Sequence, residues 1–216
     1  MSDKIKFFDL RFSPNNIKVR IALNYKGIEF ETIPVEFNEY PPAAAERTAV
    51  VEATGQPLTP AILHGQTALF GAAAILRYLD ANFRKTPHLF SADFATMKQI
   101  EEWESFAVTE LPEPIGICFQ QVMGKEIDSS ELRRASGILN EVTGRVEKQL
   151  ATTPWLAGNQ MTAADVTAAP FVSLGMLPAE AAQGNSIGEF FQKNLHLGDG
   201  REKTRAWIEK VMVFNR

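Results

Sequence analysis

The sequence predicts two domains of different class, an α/β domain over residues 1–83 and an all-α, helical-bundle domain over residues 90–216. Three observations carry that division. Strand-like and helix-like segments alternate up to about residue 85. The stretch "NFRKTPHLFSAD" (82–93) then has the turn chemistry of a linker. Beyond it apolar residues recur at helical intervals and no convincing strand appears.

Taken in order, "IKFFDL" (5–10) is short and β-prone. In "NNIKVRIALNYKG" (15–27), Val19, Ala22 and Leu23 share a helical face, and Gly27 is placed to end the helix in a left-handed turn. "EFETIPVEF" (29–37) alternates aromatic and β-branched residues with polar ones, the pattern of a second strand. A poorly defined segment with Pro41, Pro42 and a run of alanines follows. "LTPAILHGQTALFGAAAILRYLD" (58–80) then spells two strands about the turn "HGQ" (64–66) and a helix led inward by Ile75, Leu76 and Leu79. The order is β-α-β-α-β-β-α, and its last two strands are too close for anything but an antiparallel pair.

In the second half, "FATMKQIEEWESFAVTEL" (94–111) places Met97, Ile100, Trp103 or Glu104, and Ala107 or Val108 at helical spacing. "SSELRRASGILNEVTGRVEKQLA" (129–151) turns Leu132, Ile138 or Leu139, Val142, Val146 and Leu150 inward. "MTAADVTAAPFVSLGML" (161–177) is apolar over so broad a surface that it belongs inside the bundle. "KTRAWIEKVMVF" (203–214) closes the chain.

Composition excludes several classes of function. Hydrophobic residues make up 45% and charged residues 22%, ordinary for a soluble globular protein. A formal charge of −4 with no basic block argues against nucleic-acid binding. One cysteine and three scattered histidines rule out an internal disulfide and make no metal site, so no metal cofactor is expected. No apolar run approaches the roughly 20 residues that span a bilayer. "MSDKIKFFDL" passes from polar residues straight into a strand without a signal-peptide core, so the expectation is a cytoplasmic protein with no membrane partner.

One local feature breaks the usual grammar. The helix after residue 70 opens on Phe70, Gly71 and Ala72, where Ser, Thr, Asp or Asn would ordinarily bind its free N–H groups. Elsewhere the motifs are conventional. Thr162 and Asp165 form an S/T-x-x-D cap behind the turn "PWLAG".

Five segments in order resemble the cytosolic glutathione transferases over nearly the whole chain: "SPNNIKVRIALNYKGIEFE" (13–31), "LTPAIL" (58–63), "AAILRYLD" (73–80), "PHLFSADFATMKQIEEWESF" (87–106) and "PWLAGNQMTAADVTAAPF" (154–171). The resemblance implies a thioredoxin-like, glutathione-binding first domain and a helical second domain. It also implies a homodimer, which a monomeric mass at micromolar concentration would refute. The implied activity joins the glutathione thiolate, as co-substrate, to small hydrophobic electrophiles.

The resemblance implies a thiol-activating donor, a cis-proline contact and a γ-glutamyl contact. Glutathione's thiol must ionise near neutral pH, and a neutral hydrogen-bond donor aimed at the sulfur lowers its pKa. The matching donor is Ser13, and the "SPN" form, similar to Nu-class and related bacterial members, adds Asn15. Ser13-Pro14 is equally the spelling of an ordinary N-cap and N1 pair. Pro60 matches the family's cis-proline, whose kink offers the main chain of Thr59 to the cysteinyl backbone of the tripeptide; by pattern alone it could as well start an edge strand. The chain departs from the family in two places. "GQPLTP" carries an extra Pro57, and Gly71-Ala72 stand where the family has Glu-Ser or Gln-Ser for the γ-glutamyl group. The missing cap is expected to cost about 1 kcal/mol, and each lost polar contact to the charged ligand about 1.5–3 kcal/mol. The bare N–H groups at Gly71 and Ala72 could hold a carboxylate unaided. Three functions therefore stand: a transferase, a glutathione-dependent disulfide reductase as the Nu-like motif suggests, and a non-catalytic interaction module favoured by Gly71-Ala72.

The remaining chemistry-bearing residues read as structural. Trp103, Trp155 and Trp207 sit on apolar helix faces, Cys118 reads as a buried inert thiol, and His64 as solvated in its hairpin turn. "EFFQKNLHLGDGREK" (189–203) reads as either a surface loop or an overhang on the electrophile site.

Overall fold

The computed structural model describes residues 4–37 and 47–216, in two units: Met1–Phe90 with Phe214–Arg216, and Ser91–Val213. The segment with Pro41, Pro42 and the alanines lies outside the described residues.

The first unit runs β1 (Ile5–Asp9), α1 (Pro14–Tyr25), β2 (Phe30–Pro34), α2 (Thr48–Thr54), β3 (Ala61–His64), β4 (Thr67–Phe70) and α3 (Ala72–Asn82). These strands form a thioredoxin-like mixed sheet in the order β2-β1-β3-β4. β1 runs parallel to β2, with Ile5 opposite Phe30, and antiparallel to β3, with Phe8 opposite Ala61. The parallel pair requires the α1 crossover, and the β3–β4 hairpin closes through the two-residue turn Gly65-Gln66, with Gly65 at φ 60. β2 stops at Pro34, three residues short of the end of the predicted strand 29–37, because proline has no N–H to continue a ladder. Ile5, Phe7 and Phe8 of β1 are buried, as are Val19, Ile21 and Leu23 of α1 and Ile75, Leu76 and Leu79 of α3. His64 is not solvated as expected: it is hydrogen-bonded to the Tyr78 hydroxyl at 2.8 Å and stacked on Phe83.

Two buried ion pairs fix the helices of this unit. Arg20 on α1 forks onto both oxygens of Asp9 at the end of β1 and also donates to the Arg11 carbonyl. Lys26, just past α1, reaches Asp80 of α3 at 2.7 Å and the Pro87 carbonyl at 2.8 Å. Asp80 in turn accepts from the N–H groups of Leu89 and Phe90, tying down the chain after α3. Burial works against ionisation of Asp80, but the Lys26 ammonium and these N–H groups prevail and hold its carboxyl below the ordinary value.

The second unit is helical: α4 (Phe94–Thr109), α5 (Pro112–Met123), α6 (Ser129–Leu150), α7 (Ala163–Val172) prolonged by a 3-10 turn (Ser173–Met176), α8 (Ala179–Ala182), α9 (Ser186–Asn194) and α10 (Glu202–Met212). Asp93 and Asp128 cap α4 and α6 through the N–H groups of Thr96 and Ser130. On α4 the inward phase is Ile100, Glu104 and Ala107, with Trp103 half-buried against Phe106. All ten residues of α7 are buried. Three helices, α5, α8 and α9, go beyond the sequence reading. Pro112 stands at the first position of α5, where a missing N–H costs nothing. α9 takes in residues 189–194 of the segment read as a surface loop or an overhang, and Phe191, Leu195 and Leu197 are buried. Cys118 is fully buried on α5, and burial pushes its thiol up to about 12, so it is inert at neutral pH.

Candidate functional site

The site begins at the turn between β1 and α1. Ser13 occupies the N-cap of α1 and Pro14 follows at the first helical position. An N-cap serine ordinarily spends its hydroxyl on the N–H two or three residues on. Here it does not. The N–H groups of Asn16 and Ile17 both go to the Ser13 carbonyl, each at 2.9 Å, and the hydroxyl makes no capping bond. Ser13 is half-buried, its own N–H is held by the Leu10 carbonyl at 3.0 Å, and the first turn of α1 carries no acidic residue. A half-exposed donor thus stands at the positive end of a helix, where a thiolate is favoured.

Pro60 is buried and the Thr59-Pro60 bond is cis. Among the described residues the main chain of Thr59 makes no hydrogen bond, while its side-chain oxygen accepts from the Asn16 carboxamide at 3.3 Å. The approach to Thr59 is braced despite the extra Pro57. Gln56 folds back on the N–H and carbonyl of Leu58, and Arg47 donates to the Pro57 carbonyl. The Pro60 carbonyl accepts from the Gly71 N–H at 3.0 Å, so the start of α3 hangs directly on the proline.

Gly71, not Ala72, is the N-cap of α3; Ala72 is its first helical residue. Glycine at an N-cap costs only a few tenths of a kcal/mol, less than the ~1 kcal/mol expected for a missing cap. Its backbone lies at φ 84, ψ 124, a conformation that glycine adopts without strain, and nothing stands within 4 Å of where a Cβ would be. No side chain caps the helix and its first turn has no acidic residue, which leaves an anion-compatible end.

Ser13, Thr59, Pro60, Gly71 and Ala72 are therefore linked through three hydrogen-bonded joints. Asn15 stands apart from them: it is exposed and makes no side-chain hydrogen bond. The residue that joins the two loops is its neighbour Asn16, which the sequence reading passed over. Its only sequence signal is the doubled asparagine of "SPNN", because what distinguishes it is a partner 43 positions away.

Residues 7–87 match the glutathione S-transferase N-terminal domain and residues 109–213 the glutathione S-transferase C-terminal domain. The chain belongs to the glutathione S-transferase superfamily. It is similar to glutathione S-transferase F10 of Arabidopsis thaliana, 26% identical over 199 residues that cover 88% of this chain and 84% of the relative. It is similar as well to the transcriptional regulator URE2 of Saccharomyces cerevisiae, 27% identical over 76% of this chain and 56% of that protein. The solved structure of Ure2p in complex with glutathione has the same fold, with a TM-score of 0.72 at 22% identity over 99% of this chain and 90% of that one. Among the described residues no helix is long and apolar enough to cross a membrane, and no group of three metal-ligating side chains occurs.

Proposed function

We propose that this protein is a glutathione transferase that binds the tripeptide in its first unit and conjugates it to small apolar electrophiles. The observation that carries the reading is the Ser13 hydroxyl, which occupies a capping position without capping. In this reading it donates to the glutathione sulfur. A cysteine thiol ionises near pH 8.5 in water, and a donor together with the positive end of α1 stabilises the thiolate at neutral pH. The thiol proton leaves to solvent, the sulfur forms a bond to the electrophilic carbon, and the leaving group departs with its electron pair. The main chain of Thr59 holds the cysteinyl backbone, and the Ala72 N–H receives the γ-glutamyl carboxylate, since the Gly71 N–H is already held by the Pro60 carbonyl. The plant transferase relative and the glutathione complex of Ure2p support a tripeptide ligand.

The test is Ser13→Ala with a chlorodinitrobenzene-type electrophile. Turnover is expected to fall by ten-fold or more, in keeping with the loss of one oriented donor, with glutathione affinity within a few-fold of the parent. Parental turnover would remove Ser13 from the chemistry. A second reading, a non-catalytic module, draws on Gly71-Ala72 and on the regulator among the relatives; it predicts glutathione binding with no turnover of any electrophile.

A further inference from the structure

We infer that Asn16 is a positioning residue for the tripeptide site, one carboxamide that ties the loop leading to Ser13 to the loop presenting Thr59. The inference rests on the proposed glutathione reading. Asn16 is completely buried in the first turn of α1. Its Oδ1 accepts from the Leu10 N–H at 3.0 Å, and its Nδ2 donates to the Thr59 Oγ1 at 3.3 Å. Leu10 also offers its carbonyl to the Ser13 N–H, so the carboxamide acts on the Ser13 loop through one intervening residue. A buried amide is tolerated where both its ends are bonded, and both ends here lead to a residue assigned a ligand contact.

The Thr59 end has the clearer consequence. The Thr59 N–H and carbonyl make no hydrogen bond of their own among the described residues, so the side-chain link to Asn16 restrains the peptide groups meant for the ligand together with the Gln56 bonds to Leu58 and the Gly71 bond to Pro60. Loosening that link costs affinity without touching the chemistry, as a displaced positioning group does. Asn15 cannot substitute, being exposed and unbonded.

The experiment is steady-state kinetics with varied glutathione for the full chain and for Thr59→Val, Thr59→Ser, Asn16→Ala and the Asn16→Ala/Thr59→Val pair, with melting temperatures alongside. Thr59→Val is expected to raise the glutathione KM about five-fold, the worth of one hydrogen bond, by more than it lowers kcat, and to lower the melting temperature because the buried Asn16 amide loses a partner. Thr59→Ser, which keeps the hydroxyl, restores the parental KM. Asn16→Ala raises KM at least as far, and adding Thr59→Val to it raises KM no further, because the two side chains act as a unit. Parental KM in Thr59→Val, or multiplied effects in the pair, overturns the inference while leaving the transferase reading intact. Absence of glutathione binding by the parent overturns both. Thr59 lies in a loop, so its variants decide the matter even if Asn16→Ala does not fold.

Discussion

At Gly71 the polypeptide trades a side chain for an unstrained backbone. At φ 84 any residue with a Cβ meets local strain, although the space around it is open. Restoring the family's acidic residue by Gly71→Glu should therefore act in two directions. Stability is expected to fall by about 1–3 kcal/mol, read as a lower melting temperature. Glutathione affinity is expected to rise about ten-fold, from one charged contact to the γ-glutamyl amine. Weaker binding by the variant would show that the γ-glutamyl end lies elsewhere. The residue scale is also where sequence and structure part most sharply. Ser13, Thr59 and Pro60 could be named because a motif marks each of them. Whether Ser13 caps its helix could not be, since that depends on where the Asn16 N–H turns. Asn16 itself was invisible because burial and a distant partner, not residue type, give it its place.

Among the elements, α7 shows most plainly how local chemistry and packing cooperate. Asp165 accepts from the N–H groups of Leu156 and Thr162, the Thr162 hydroxyl and the Trp207 indole, the last from α10. Burial pushes its carboxyl up, and these four donors oppose that. Asp165→Asn, equal in size, turns an amide donor toward donors. The second unit is expected to lose about 3 kcal/mol or more, measured by urea unfolding; a loss under about 1 kcal/mol would mean the network carries little. Elements with a plain apolar pattern were legible in advance: α1, α3, α4 and α6 follow the spacing of their apolar residues, and α7 its unbroken apolar surface. α5 was hidden because Pro112, Pro114 and Gly116 read as breakers, although proline is at home in a first turn. α9 was hidden because nine residues show barely two turns of pattern.

For the molecule as a whole, the Lys26–Asp80 pair joins α1, α3 and the chain leaving the first unit, and it sets an acid limit. The folded Asp80 carboxyl lies below its unfolded value, so its contribution is complete above about pH 3.9 and is lost as pH falls through the lower folded value. Lys26→Met removes the charge that overcomes burial, so acid unfolding followed by circular dichroism is expected to begin at higher pH than in the parent. Superimposed curves would show that the pair does not govern the limit. The two-domain plan was legible from the change of grammar near residue 85, because period-2 and helical patterns survive without tertiary knowledge. The proposed chemistry rests on a thiol tripeptide held across Ser13, Thr59 and the start of α3. Isothermal titration of the intact protein with glutathione tests this most directly: a dissociation constant below about 1 mM is predicted, and no heat of binding at about 10 mM would contradict it.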